Sequence, residues 1–260
     1  MAPLFKQARQ QRILQAVREN GHITVAELSR HCQISAVTIR RDLRELAAQG
    51  LLRRSHGGAL LAIPESPEAP VIQRMGSQAD IKGLIGRAAA ALVADGESVF
   101  LGSGSTTAYV ARYLAQRRSL NVVTNALNIA SELAGAAGVT VVVTGGMLRA
   151  SELSLIGHIA EQSLREVRVD KVIIGMRAIS LEKGLTNDYL PEVMTDRAII
   201  SMAPQLILVA DHTKFGQVAA AYVAPVERVT TLVTDNGTDP QILARLQELG
   251  IRVIVAERPR

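Results

Sequence analysis

The chain has 260 residues, 48% hydrophobic and 20% charged, with a net charge of +5. That length fits one large domain or two ordinary ones, and that composition excludes an intrinsically disordered chain. No run of about 18 apolar residues is present, the opening MAPLFKQARQQR has no apolar signal stretch, and a single cysteine, Cys32, excludes an internal disulfide framework, so a cytoplasmic protein is expected.

The positive charge is unevenly distributed. Residues 1–61 carry ten Lys/Arg against four Asp/Glu, a balance of +6, whereas residues 62–260 carry nineteen against twenty, a balance of −1. A phosphate-binding surface needs such a local excess, because protein cations displace the counterions condensed on DNA. A merely solvated basic face has the same composition.

Gln7 to Asn20 predicts a helix, with Ile13, Leu14 and Val17 at helical spacing and Asn20-Gly21 as its stop. Thr24 is placed to cap a short second helix, Val25 to His31. After the turn Cys32-Gln33-Ile34, Ser35 caps a third helix running from Ala36 to about Gln49, with Gly50 ending it. Ile39, Leu43 and Leu46 fall on one face of this helix, which leaves Val37, Thr38, Arg40, Arg41 and Arg44 pointing elsewhere. This is a helix-turn-helix layout, in which the second helix of the pair presents its N-terminal residues to the major groove. The stretch Leu51 to Ala59 reads as a hairpin turning at Gly57-Gly58, and a basic hairpin beside a recognition helix is a wing. A small helical packing domain with exposed arginines is the alternative. Cys32 is expected to pack as a small buried hydrophobe.

Ala62 to Pro70 holds three prolines and no helical pattern, so residues 62–74 read as a stiff linker between a DNA-binding domain, 1–61, and a second domain, 75–260. In that second domain helices alternate with apolar strands. Strands are predicted at 98–101, 121–124, 139–143, 171–174, 205–210, 229–234 and 252–255. Helices are predicted at 82–93, 106–115, 126–133, 159–165, 191–202 and 240–249. The alternation predicts an α/β fold with a mostly parallel sheet covered by helices, whose ligands sit at the carboxyl ends of the strands.

Several of those ends are polar and glycine-rich. Gly102-Ser103-Gly104-Ser105-Thr106-Thr107 follows a strand and opens a helix, so its N–H groups and hydroxyls suit an anion. It is not a dinucleotide fingerprint, because Thr107 replaces the third glycine and Thr124-Asn125, not an acid, ends the next strand; nor does a Lys-Ser/Thr pair close it as a Walker loop. A phosphorylated small molecule fits better. Thr124, Asn125, Gly145, Gly146, Arg149, Arg177, Lys183, Thr186 and Lys214 join this loop as candidate effector residues, with Lys214 as the point charge for phosphate. Each glycine taken alone is also an ordinary turn residue.

Two sets of residues carry a family resemblance. Ser35-Ala36-Val37-Thr38-Ile39-Arg40-Arg41-Asp42-Leu43, Gly50-Leu51-Leu52-Arg53-Arg54 and His56-Gly57-Gly58-Ala59 resemble the DNA-reading module of the DeoR family of bacterial regulators. Gly157-His158-Ile159-Ala160-Glu161, Gly184-Leu185-Thr186 and Ala210-Asp211-His212-Thr213-Lys214-Phe215-Gly216 resemble its effector domain. The resemblance covers nearly the whole chain outside the linker. It implies DNA contacts from Ser35, Val37, Thr38, Arg40, Arg41 and Arg44, and from Arg53 and Arg54 on the wing. Asp42 suits an ion pair that orients an arginine better than a phosphate contact. The resemblance further implies a fold related to ribose-5-phosphate isomerase, and a sugar phosphate that releases a repressor of a carbohydrate-utilisation operon.

One departure stands out. Where the family often has Ala-Asp-Gly after Ile174-Gly175, this chain has Met176-Arg177-Ala178. A cation there suggests an effector more acidic than an ordinary monophosphate, such as a sugar-acid phosphate or a bisphosphate; alternatively Arg177 pairs with Asp188 or Glu182. The competing function is a sugar-phosphate isomerase with an accessory DNA-binding module. It would need a positioned carboxylate base, for which Glu192 is the remaining candidate. A packaging protein would be basic throughout, which this chain is not. The five histidines show no metal spacing, and no cofactor is expected. Paired recognition helices imply a homo-oligomer, a dimer or a tetramer, on double-stranded operator DNA.

Overall fold

In a computed structural model that describes residues 6–20, 22–48, 52–55, 57–61 and 68–257, the chain divides into two units, Met1–Ser66 and Pro67–Arg260. The first unit runs α1 (Lys6–Asn20), β1 (His22–Thr24), α2 (Val25–Cys32), α3 (Ala36–Ala48), β2 (Leu52–Ser55) and β3 (Gly58–Leu61). Thr24 starts α2 through a reciprocal capping box. Its Oγ1 accepts from Glu27 N–H at 3.2 Å, and the Glu27 carboxylate accepts from Thr24 N–H at 2.8 Å. Gln33, with φ of 54°, ends α2, and Ser35 Oγ accepts from Thr38 N–H at 3.3 Å at the start of α3. Ile13, Val17, Leu28, Ile39, Leu43, Leu46 and Leu52 bury completely or nearly so into one core, joined by Cys32, whose thiol pKa burial pushes up.

The predicted hairpin forms, with β2 antiparallel to β3, and it gains a third strand that the sequence reading lacked: β1 pairs with β3. Gly58 permits this, since a Cβ there would lie 2.4 Å from the Ile23 carbonyl oxygen. The stop and turn residues Gly21, Gln49, Gly50, Leu51 and His56, and residues 62–67 of the expected linker, lie outside the described residues.

The far end of that linker is corrected. Residues 71–74 are helical, within α4 (Val71–Gly76), and belong to the second unit. Val71 is fully buried, its N–H donates to the Ser151 carbonyl at 2.8 Å, and no proline lies within the helix. Burial of Val71 and the hydrogen bonds made by the N–H groups of Val71, Gln73 and Arg74 override the proline-rich approach.

Beyond α4 come α5 (Ala79–Ala90), β4 (Ser98–Leu101), α6 (Ser105–Leu114), β5 (Leu120–Thr124), α7 (Leu127–Leu133) and β6 (Val139–Val143). The hairpin β7 (Met147–Arg149) and β8 (Ser154–Ile156) leads into α8 (His158–Glu166) and β9 (Lys171–Ile174). The chain continues through β10 (Ala178–Ser180), β11 (Gly184–Asn187), α9 (Val193–Ser201), β12 (Gln205–Val209), β13 (Ala221–Ala224), β14 (Thr231–Asp235), α10 (Pro240–Glu248) and β15 (Arg252–Ala256). Seven of these strands form one all-parallel sheet in the order β15-β14-β12-β9-β4-β5-β6. The period-two alternation of β4 shows how both faces fill: Val99 and Leu101 pack under α5 and α6, and Phe100 faces the opposite cluster with α8 and α9. On that second side lies a small antiparallel sheet, β10-β11-β13. Those short strands are too brief to register as apolar runs.

The topology fixes where a ligand belongs. From β4 the chain crosses to β5 on one side, and from β9 it crosses to β12 on the other. The crevice between the carboxyl ends of β4 and β9 is therefore the topological switch point, the usual ligand position in open α/β sheets. Register aligns the ends: Leu101 lies beside Ile173 and Thr124, and Ile174 beside Leu208. Neighbouring strands lie about 4.8 Å apart, so the loops after β4, β9 and β12 emerge within about 10 Å of one another.

Candidate functional site

Two surfaces collect the chemistry-bearing residues, one in each unit. In the first, α3 turns Ile39, Leu43 and Leu46 inward, and its opposite face carries Val37 (74% exposed), Arg40, Arg41 and Arg44, with Thr38 half-buried. Ser35 is exposed and shares a hydroxyl contact of 3.0 Å with Thr38. Arg41 reaches only a loose ion pair with Glu45, at 3.7 Å, and its side chain is 80% exposed. The six candidates on this helix therefore gather at one face and its N-terminal turn. Arg53 and Arg54 lie on β2, and their side chains are outside the described residues. Asp42 is buried and pairs with Arg9 of α1, through Nε at 2.5 Å and Nη2 at 3.0 Å. It does orient an arginine, but one 33 residues away, and it fastens the inner side of α3 to α1.

In the second unit the loop 102–107 closes on itself at the switch point. Gly102 passes so close to β9 that a Cβ would meet Ile174 Cγ2 at 2.8 Å. Ser103 N–H donates to Asn125 Oδ1 at 3.2 Å, and Thr107 Oγ1–H donates to the Gly104 carbonyl at 2.9 Å. The N-cap of α6 is Gly104, with φ of 142° and no side-chain cap. Where Ser or Asn would accept from the first amides, glycine offers no side-chain acceptor, the arrangement that suits a phosphate.

Charged groups converge on the same strand ends. Lys214, in the loop after β12, pairs with the carboxylate of Glu68. Arg74 of α4 lies 3.5 Å from Glu68 and pairs with Glu152. Arg177 follows β9; its Nε donates to Asp188 at 2.5 Å, its Nη1 donates to Gln217 at 3.1 Å, and its Nε lies 3.7 Å from Glu68. The structure thus realises the second reading of Arg177, as a partner of Asp188, and the argument for an unusually acidic effector loses its free cation. Lys82, buried on α5, donates to the carbonyls of Arg74 and Ser77 at 2.6 and 2.7 Å. Burial lowers its pKa, against the pull of Asp211. Burial raises the pKa of Glu152, opposed by Arg74.

Lys82, Arg74, Glu68 and Asp211 were absent from the sequence-based candidates. Lys82 was legible: with Ile85, Gly86 and Ala89 it lies on the inward stripe of α5, where a lysine needs a reason. Glu68 and Arg74 gave no signal, because only the tertiary fold brings residues 68, 74, 177 and 214 together.

Other expected effector residues serve the scaffold. Thr124 Oγ1 donates to the Leu101 carbonyl at 2.7 Å and accepts from Ala126 N–H at 3.0 Å. Asn125 spans from Ser103 to the Leu155 carbonyl, 3.3 Å from its Nδ2. Gly145 and Gly146 have φ of 72° and 121°, and a Cβ on Gly146 would strike the Ile156 carbonyl oxygen at 2.8 Å. These two are turn glycines that let β7 approach β8. Thr186 is buried and accepts from Ala219 N–H at 2.8 Å. Lys183 is exposed at the turn of the β10–β11 hairpin, the end opposite Arg177.

Arg149 is buried in a separate network. It pairs with Glu192 and stacks 4.5 Å over the Tyr189 ring. Glu192 also accepts from Ser154 Oγ at 2.8 Å and Asn187 Nδ2 at 3.3 Å. The candidate base is therefore held by three donors. Beside it Asp196 is pushed up to about 8 by burial and by the charge of Glu192. Among the described residues, no group of three His, Cys, Asp or Glu could hold a metal ion.

Comparison with known proteins matches both units. Residues 9–64 match the model of the DeoR-like helix-turn-helix domain, and residues 77–236 that of the DeoR C terminal sensor domain. The chain is 35% identical over 251 residues to the transcriptional repressor AccR of Agrobacterium fabrum, covering 96% of this chain and 97% of that one. It is 33% identical over 249 residues to the HTH-type transcriptional repressor CsqR of Escherichia coli K12 (96% and 95%). It is 35% identical over 224 residues to the glycerol-3-phosphate regulon repressor of the same organism (86% and 88%). Among solved structures, ribose 5-phosphate isomerase A from Neisseria gonorrhoeae overlaps 54% of each chain at 17% identity and a TM-score of 0.40, too distant to carry chemistry across. With both family models matched in order and relatives of this identity along nearly its whole length, the chain belongs to the DeoR family of transcriptional regulators.

Proposed function

We propose that this protein represses a carbohydrate-utilisation operon by binding operator DNA through α3 and the wing, and that a phosphorylated sugar or sugar acid in the second unit releases it. The observation that carries the DNA half is the exposed arginine face of α3, Arg40, Arg41 and Arg44, set opposite the buried Ile39, Leu43 and Leu46. An exposed cationic helix face, on which Arg41 holds Glu45 only loosely, suits the major groove and its phosphates. The uncapped N-terminus of α6 at the switch point, with Lys214 in the loop two strands along the sheet, supports a phosphorylated effector. The glycerol-3-phosphate regulon repressor, whose name concerns a phosphorylated polyol, lends the same direction. An isomerase reading needs a free carboxylate base, and Glu192 is occupied by Arg149, Ser154 and Asn187.

The protein is proposed to act in the cytoplasm as a homo-oligomer. Its sheet ends in β6, an uncharged edge of sequence VTVVV whose Val142 and Val143 are exposed beside Met147. Charge-free apolar edges favour pairing with another copy, and two-fold pairing would match a palindromic operator. The test is thermal-shift screening of phosphorylated sugars and sugar acids on the whole chain, followed by light scattering of the Val142→Glu variant. Stabilisation by neutral sugars alone would sink the effector assignment, and an unchanged mass of Val142→Glu would sink the edge pairing.

A further inference from the structure

Glu68 is met by cations from the loops after β9 and β12 and from α4. We infer that its carboxylate is a built-in occupant of the anion seat, and that effector binds by displacing it; this rests on the sensor reading above and adds its regulation. Three cations from three separate elements converge on this one side chain. Lys214 from the loop after β12 pairs with Oε1, Arg74 from α4 stands 3.5 Å from Oε1, and Arg177 from the end of β9 stands 3.7 Å from Oε2. The Glu68 side chain is 14% exposed and that of Lys214 18%, so the meeting point is largely withdrawn from water.

The arrangement has a physical reason. A cation cluster at a strand-end crevice repels itself unless an anion is present, and half-buried cations without a counter-charge are costly. Arg74 and Arg177 each hold a second acid, Glu152 and Asp188, and Lys82 is fed by two carbonyls and faces Asp211. Glu68 brings the acids Glu68, Glu152, Asp188 and Asp211 into balance with Lys82, Arg74, Arg177 and Lys214. A phosphate monoester has three acceptor oxygens and close to two charges, so it outbids one carboxylate for the same cations. The carboxylate is tethered, so its effective concentration at Lys214 is high, and free anions compete with it.

Position along the chain gives the displacement a destination. Glu68 is the second residue of the sensor unit and lies seven positions after Leu61, the last residue of β3 in the wing. A ligand that evicts Glu68 releases a residue close in sequence to the DNA-reading unit. Effector binding is thereby registered two residues inside the sensor unit's sequence boundary. By linkage, whatever favours Glu68 in its seat opposes effector binding, and the reverse.

The test uses the whole chain and inorganic phosphate as probe, by calorimetric titration of the parent, Glu68→Gln, Glu68→Ala and the double variant Glu68→Gln/Lys214→Met. If Glu68 fills the seat more than nine-tenths of the time, removing it tightens phosphate binding by about tenfold or more, since apparent affinity scales with the competent fraction. Both single variants are expected to show this gain, and the double variant to lose it. Phosphate affinity within twofold of the parent in both single variants, a gain that survives Lys214→Met, or no binding to any of the four would each overturn the proposal. The same four proteins are screened with phosphorylated sugars and for DNA binding. A sugar phosphate that binds parent and Glu68→Gln equally overturns the displacement and leaves the sensor reading intact. Tighter phosphate binding in Glu68→Gln, with DNA binding deaf to every sugar phosphate, supports the seat and removes the sensor reading.

Discussion

Arg9→Ala isolates what holds the recognition helix in place. Asp42, 1% exposed on the inner side of α3, receives two hydrogen bonds from the Arg9 guanidinium. Removing Arg9 strands a buried carboxylate, and breaking a buried pair by taking away one partner costs about 3–5 kcal/mol. The Arg9 side chain is 16% exposed, so water reaches part of the gap and the lower figure, about 3 kcal/mol, applies. A unit of roughly 60 residues has about 3–9 kcal/mol in all, so the loss is a third or more of its stability. At about 4–8 °C per kcal/mol the unit's melting point falls by about 12–24 °C. The chain offers a clean assay. It has no tryptophan, and its four tyrosines, Tyr109, Tyr113, Tyr189 and Tyr222, all lie in the sensor unit. Far-ultraviolet dichroism therefore reports both units and tyrosine fluorescence only the larger. Arg9→Ala should advance one component of the dichroism melt and leave the fluorescence melt in place. Arg9→Met combined with Asp42→Leu should recover most of the loss. A dichroism melt unmoved by Arg9→Ala would refute the reasoning.

Other perturbations address other links. Thr24→Ala removes the α2 capping box and should cost about 1 kcal/mol in urea unfolding of the first unit; an unchanged midpoint counts against the cap. Gly86→Val drives a side chain into α6, since even a Cβ lies 2.8 Å from the Tyr109 backbone carbon, and should destabilise the sensor unit by about 1–3 kcal/mol, read by tyrosine fluorescence. Arg41→Ala should weaken operator binding by about 1–3 kcal/mol if the guanidinium grips a base edge; an equal loss on random DNA would make it a phosphate contact. Asp196 has a folded pKa of about 8, above its unfolded value of 3.8, so the folded state holds the extra proton between those limits. Its contribution to stability is therefore fully present below about pH 4 and lost as pH rises through about 8. Relative to Asp196→Asn, the parent should lose stability from pH 5 to pH 9, and parallel pH profiles would remove the assignment.

The sequence was most legible where periodicity and local chemistry agree. The inward stripe Ile39, Leu43, Leu46 placed the arginines of α3 on the outside, and Thr24 capped the helix it precedes. The seven parallel strands were readable because each is a short run rich in apolar residues. What escaped depends on distance along the chain. β1 exists because Gly58 lets β3 approach Ile23, a long-range pairing that a three-residue strand does not announce. Strands β7, β8, β10, β11 and β13 are three or four residues long and leave no periodic trace. The effector candidates divided on the same principle. Loop chemistry singled out Gly102–Thr107 and Lys214, which the fold places in the loops after β4 and β12. It could not tell a threonine that faces ligand from Thr124, whose hydroxyl is spent on Leu101 and Ala126. Arg177 could be read either as a ligand contact or as a partner of Asp188 or Glu182, and only the fold selects Asp188; that Glu68 closes the cation cluster left no trace.

The central claim joins the two units: effector in the second alters DNA affinity of the first. The most direct measurement is fluorescence anisotropy of the full chain on an operator chosen by in vitro selection, titrated with phosphorylated sugars and sugar acids. One of them is predicted to weaken operator binding by about tenfold or more, a coupling of about 1.4 kcal/mol, while its parent neutral sugar does nothing. Operator affinity unchanged at saturation by every phosphorylated compound that binds the sensor unit would contradict the account.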